Sequence, residues 1–156
     1  MKISYKVFIL FAVLLALASA SAVSFQSGGQ KTLRDGYYTA EMENYHHGWK
    51  EFLTIYVNNG KIVFAEYDAK NASGLIKSWD MDYMRRMNKT DGNYPNKYTR
   101  KYAAELLIHQ TPDGVDAMSG ATESFVFFKT LADAAIRQAL AGDKKVAFVR
   151  TPHIPR

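Results

Sequence analysis

Cysteine is absent from the 156 residues. That absence excludes disulfide frameworks, Cys-ligated zinc, iron–sulfur clusters, thioether-linked haem and thiol catalysis. It also removes the residue that carries the lipid of a bacterial lipoprotein. Proline is scarce, and two of its four occurrences lie in the final RTPHIPR, which marks 151–156 as a loose tail. Long runs of one charge are missing as well. The net charge of +5 falls to +3 once residues 1–22 are set aside, because that segment holds Lys2 and Lys6 and no acid. The basic pairs Arg85-Arg86, Arg100-Lys101 and Lys144-Lys145 are scattered, without an aromatic-interleaved stripe. They read as solvated surface, and nucleic acid is not an expected partner. Apolar residues at 47% and aromatics at 13% are enough to build a core, so a fully disordered chain is excluded. The length fits one domain.

The first 22 residues are an address. Lys2 and Lys6 precede the apolar run Val7 to Leu17, followed by the small-x-small sites Ala18-Ser19-Ala20 and Ala20-Ser21-Ala22. This is the layout of a secretory signal peptide, and the run is short for a spanning helix of about 20 residues. Two readings follow: a cleaved signal, or a retained N-terminal anchor as the one route to the membrane. Both put the rest of the chain outside the cytoplasm. Residues 23–34, polar and with a Gly pair, read as a linker, and 35–150 as the folded domain.

Within that domain Tyr37 to Tyr45, Glu51 to Val57 and Lys61 to Tyr67 read as three antiparallel strands. Leu53, Ile55 and Val57 alternate with Phe52, Thr54 and Tyr56, and Asn58-Asn59-Gly60 supplies the hairpin turn. Helical spacing predicts helices over 78–88, 98–110 and 123–141, with Thr90 to Asn96 as a loop and Gly142 as the last C-cap. Val115 to Met118 reads as a short buried strand, and Val146 to Val149 as an edge strand. The expected fold is α+β: a small antiparallel sheet packed against a few helices.

The junction before the last helix carries the chemistry. Ser119, Gly120 and Ala121 are small, so backbone there can approach a ligand closely. Thr122 stands where an N-cap belongs, and the start of the following helix favours an anion. From spacing alone this is a helix cap or a phosphate site. The Lys of a Walker loop is missing, and no GxGxxG is present.

Asp116-Ala117-Met118-Ser119-Gly120-Ala121-Thr122 resembles the flavinylation motif of the FMN-binding domain family, Asp-x-x-Ser/Thr-Gly-Ala-Thr, at every defined position. Asp35-Gly36-Tyr37-Tyr38-Thr39-Ala40 resembles the opening strand of that family, and the likeness extends to about Gly142. The resemblance implies FMN held as a phosphoester on Thr122, attached outside the cytoplasm by a flavin transferase that uses FAD. It implies membrane or extracellular redox partners and electron carriage rather than substrate turnover. Cofactor-binding roles then fall on Asp116, Met118, Ser119, Gly120, Ala121 and Thr122. Asp116, whose charge repels a phosphate, would brace the loop through backbone N–H groups or be read by the transferase. No catalytic residue is expected. The alternative is an exported binding module that holds flavin or another ligand noncovalently.

His46-His47 lacks a third ligand in the sequence and reads as a polar turn before Gly48, so no metal is expected. Trp79, Tyr83, Tyr94, Tyr98 and Tyr102 read as core and loop packing, or as a wall for an isoalloxazine ring.

Overall fold

A computed structural model of the protein describes residues 32–152. The signal segment, the linker up to Lys31 and the tail from His153 lie outside the described residues.

The alternation in the sequence builds a meander. Strands β1 (Gly36–Met42), β2 (Lys50–Asn58) and β3 (Lys61–Lys70) pair antiparallel in succession. Asn59 and Gly60 both take positive φ at the β2–β3 turn, as a two-residue hairpin requires. Strand β4 (Ala147–Val149) returns to lie parallel beside β1, so the sheet order is β3-β2-β1-β4. The sheet is therefore mixed at one edge rather than wholly antiparallel.

Three helices follow β3: α1 (Met81–Asp91), α2 (Pro95–His109) and α3 (Thr122–Ala141). Leu53, Ile55 and Val57 of β2, with Tyr38 and Ala40 of β1, form the buried face of the sheet. Phe128, Leu131, Ala132, Ala135 and Ala139 of α3 pack against it, joined by Tyr98, Tyr102 and Leu106 of α2. The small alanines let α3 lie close to the strands. Helix α1 buries no residue and stands outside this core. Among the described residues no helix is long and apolar enough to cross a membrane.

Several boundaries move from their expected places, each for a local reason. The helix expected over 78–88 starts at Met81, because the Asp80 carboxylate accepts the Tyr83 N–H and caps it there. Trp79 falls in a preceding 3-10 turn, Lys77–Trp79, and is 70% exposed instead of on a core stripe. Pro95 begins α2 instead of ending a loop, since a first-turn proline lacks only an amide that would be free anyway. Val115 to Met118 forms no strand. Its backbone is held by α2: the Met118 N–H donates to the Tyr102 phenol, and the Asp116 N–H to Glu105.

Strand β3 is a sheet edge, and α2 closes it with one side chain. Gln110, the left-handed C-cap of α2, donates to the carbonyls of Ile62 and Leu107 and accepts the Ile62 N–H at 2.8 Å. Gln110→Ala strips both partners from the backbone of buried Ile62. A loss of about 1–3 kcal/mol of stability is expected, readable as a lower urea midpoint at unchanged slope. An unaltered midpoint would show that water replaces the clamp without penalty.

Candidate functional site

The start of α3 opens onto a cavity of about 430 Å³. Its walls come from four places. Gly120 to Ser124 and Phe127 supply one side, and Tyr83, Arg86, Met87, Thr90 and Asp91 of α1 the opposite one. His46 and His47 stand at the β1–β2 turn, while Glu51, Lys77 and Tyr98 form the polar floor. Helix α1, which touches the core only through half-buried Met87, serves here as a wall.

The motif residues divide. Gly120, Ala121 and Thr122 line the cavity, whereas Asp116, Met118 and Ser119 do not. Thr122 is exposed and is the first residue of α3. The N-cap is Ala121, so no side chain caps the helix, and the expected capping role of Thr122 is corrected. Its hydroxyl is thereby left to the cavity, beside the free amides of the first helical turn. Asp116 is exposed and braces the loop through its backbone, because its carbonyl accepts from Lys101 and its N–H bonds to Glu105. Met118 packs half-buried against the core. Ser119 offers its carbonyl to Asn93 Nδ2 at 2.8 Å, which fixes the motif loop to the α1–α2 connection. Gly120 has φ +72°, and a Cβ there would meet the Asp91 carbonyl oxygen at 2.5 Å. Its need for glycine is thus set by α1 packing against the loop.

The aromatic residues also divide. Tyr83 and Tyr98 line the cavity, with Phe127, which no reading of the sequence singled out. Tyr102 is a core residue, Tyr94 flanks α2, and Trp79 lies outside this cavity.

The floor is a buried polar network. Glu51 shares the inward face of β2 with Leu53, Ile55 and Val57, and Lys77 reaches it at 4.0 Å. Tyr67 of β3 lies 3.0 Å from Oε2 of Glu51 and 2.7 Å from the Ser124 carbonyl. A phenol has one proton to give, and a carbonyl can only accept. The Tyr67 proton therefore goes to Ser124, and a protonated Glu51 can donate to the phenol oxygen. Burial is the main cause that pushes Glu51 up to about 8, opposed by Lys77 and Tyr67. Burial also pulls on Lys77, but Tyr98, Glu51 and Tyr83 more than offset it, and its ammonium is held above the ordinary range. Tyr98 is pushed up to about 12 by burial, against the pull of Lys77. At neutral pH the floor thus carries a neutral carboxyl and a charged ammonium. Arg86 adds a second cation to the lining, and Asp91 and Glu123 set two carboxylates against them, so the cavity is mixed in charge.

The β1–β2 turn shapes the remaining corner. His47 and Gly48 both have positive φ, and His46 and Trp49 exchange backbone hydrogen bonds across them, the pattern of a type I′ turn. The two imidazole rings come to 4.1 Å between centroids, and His46 rests edge-on against Phe127 at 5.2 Å. Glu123 brings its carboxylate to 4.0 Å from His46 Nδ1. The third donor that the sequence reading found missing is thus supplied by α3, 76 positions beyond His47. Spacing gave no signal for it.

Comparison with known proteins gives a relative over most of the chain and a solved structure of the same fold. The chain is 36% identical over 141 residues to the 15 kDa lipoprotein of Treponema pallidum (strain Nichols), covering 90% of this chain and 96% of that protein. A crystal structure of the CPE2226 protein of Clostridium perfringens superposes with a TM-score of 0.74 at 34% identity, over 77% of this chain and 99% of the other. A solution NMR structure from Clostridium thermocellum matches at 25% identity and a TM-score of 0.48, over 78% and 98%. No family model matches the chain.

The buried carboxyl has a consequence for stability. Between the ordinary value of 4.5 and about 8, the folded state holds a proton on Glu51 that the unfolded chain releases. Stability therefore falls as pH rises through that window, by roughly 3–5 kcal/mol in all, and levels off above it. Lys77, Tyr67, Asp68 and Glu123 act on the same group. Glu51→Gln keeps the shape without the proton. Melting temperatures measured from pH 5 to 9 are expected to slope downward in the parent protein and to flatten in the variant. Equal slopes in both would remove Glu51 as the cause.

Proposed function

The chain belongs to the family of the Treponema pallidum 15 kDa lipoprotein, and from its own motif residues we propose an exported flavoprotein that carries FMN as a phosphoester on Thr122 and passes electrons outside the cytoplasm. The observation that carries this reading is that Gly120-Ala121-Thr122, the end of a motif resembling the flavinylation signature, forms one wall of a cavity that Lys77 and Arg86 also line. The exposed Thr122 hydroxyl stands at a helix start with no capping duty.

The residues present suit the group. Thr122 would hold the phosphate, with the first amides of α3 as donors. Lys77 and Arg86 supply positive charge, and Tyr83, Tyr98 and Phe127 supply flat apolar surface. Attachment is balanced when the Thr122 oxygen displaces AMP from FAD, the hydroxyl proton leaving with the phosphate product. A flavin transferase is the partner that this step requires. Bound flavin supplies one- or two-electron transfer, and the protein supplies position and electrostatics. Neutral Glu51 and charged Lys77 beneath the cavity would favour an added negative charge. Electron carriage of this kind needs no catalytic residue of its own.

An extracytoplasmic location follows from the lipoprotein relative together with the signal-like first 22 residues. The attachment differs from that of a lipoprotein, since no Cys is present to bear a lipid. Redox partners would then be met at or beyond the membrane surface.

Co-expression with an extracytoplasmic flavin transferase tests the reading. A flavin-fluorescent band is expected to survive denaturing electrophoresis and to vanish in Thr122→Ala. Flavin released by denaturation would instead establish a noncovalent binding module. A parent protein that takes up no flavin in that host would sink both.

A further inference from the structure

The type I′ turn at His47-Gly48 performs a geometric task that an extended strand cannot. Adjacent side chains on a strand point to opposite faces. Here the left-handed His47, with φ 50°, turns both rings to the same side. Such a backbone costs a residue with a Cβ about 1–2 kcal/mol. Glu123 then completes a group whose three donor atoms all lie within 4.8 Å of one another. The set is two imidazoles and one carboxylate, drawn from two elements that pack together through His46 and Phe127.

We propose that His46, His47 and Glu123 form a binding site for a divalent transition metal of the zinc class, at the rim of the cavity. Donors about 2.0–2.2 Å from a common zinc ion stand about 3.4 Å apart in a tetrahedral site. The observed 4.0 Å from His46 Nδ1 to Glu123 needs only a small side-chain movement to reach that spacing. Two imidazoles and one carboxylate are a ligand set that zinc takes with a fourth position open. All three residues line the cavity, so the open position faces it. An oxygen ligand, such as water, a carboxylate or a phosphate, would fill that position. Calcium and magnesium are disfavoured, because they require mostly oxygen donors.

This site does not depend on flavin. It can be tested on tag-free full chain exported by a host that lacks a flavin transferase, after chelator treatment and dialysis. Calorimetric titration with zinc chloride is expected to saturate at one zinc per chain. His47→Asn removes a ligand while keeping a residue that accepts the left-handed turn. Its affinity is expected to drop by about 100-fold, since even outer-shell changes at zinc sites cost about 10–100-fold. Glu123→Gln, which leaves the fold intact at an exposed position, is expected to lose at least about tenfold on the same grounds. Melting curves of both metal-free variants should match the parent. No saturable uptake by the parent, or the parent's affinity retained in either variant, would overturn the proposal.

Discussion

A single carboxyl, that of Glu51, is the point on which the arrangement of elements depends. It lies on the inward face of a central strand, where only apolar side chains would ordinarily sit. A charged carboxylate there, without partners, would cost several kcal/mol. The molecule answers with Lys77 from the 3-10 turn and Tyr67 from β3, while Tyr67 in turn holds the Ser124 carbonyl of α3. Lys77 also stands over the rings of Trp49 and Tyr83, at 5.9 and 5.1 Å. Sheet, turn and helices are thereby locked at one depth. A hydrophobic residue at position 51 would satisfy the sheet but would leave Lys77 buried without its carboxyl partner.

That network also explains why the cavity exists. Its floor is polar, so the helices cannot close over it with apolar contacts as they do around Phe128 and Leu131. Helix α1 buries no residue fully and is held by the Asp80 cap at its start, by Tyr83 against Trp49 and Met87 against the core along its length, and by the Asp91–Gly120 approach and the Asn93–Ser119 hydrogen bond beyond its finish. The motif loop is therefore fixed to α1 and the α1–α2 connection mainly through its own backbone, while no α1 side chain is fully buried. Segments with few buried contacts are those that open most readily. A wall of this kind suits a site that a second protein must reach.

The sheet was readable from the sequence because its signals are local. Alternation over Phe52 to Val57 and the Asn59-Gly60 turn act over a few residues, and the strands lie where they place them. The last helix was readable for the same reason, to within one residue at its start. Helices α1 and α2 moved because the residues that decide their starts, Asp80 and Pro95, can each either begin or end a segment. Parts of the cavity were not readable at all. Glu51 shares the parity of Leu53, Ile55 and Val57, but nothing local in the sequence shows that Tyr67 and Lys77 receive its carboxyl on that face. The nearness of His46, His47 and Glu123 depends on a left-handed residue and on a packing contact between distant segments. Neither leaves a spacing in the chain.

Two neighbouring residues of α3 pose the sharper electrostatic question. Thr122 and Glu123 both face the cavity at the positive end of the helix. A phosphate on Thr122 would sit next to the Glu123 carboxylate, and like charges at close range oppose one another. The helix end alone offsets about half a unit charge. Lys77 and Arg86 offset more, though Arg86 lies 6.0 Å over the Tyr83 ring. A divalent cation between Glu123 and the two histidines would reverse the sign of that corner and leave the remaining cations to the phosphate. The acidic residue at the second position of α3 is then part of the same charge balance as the threonine before it.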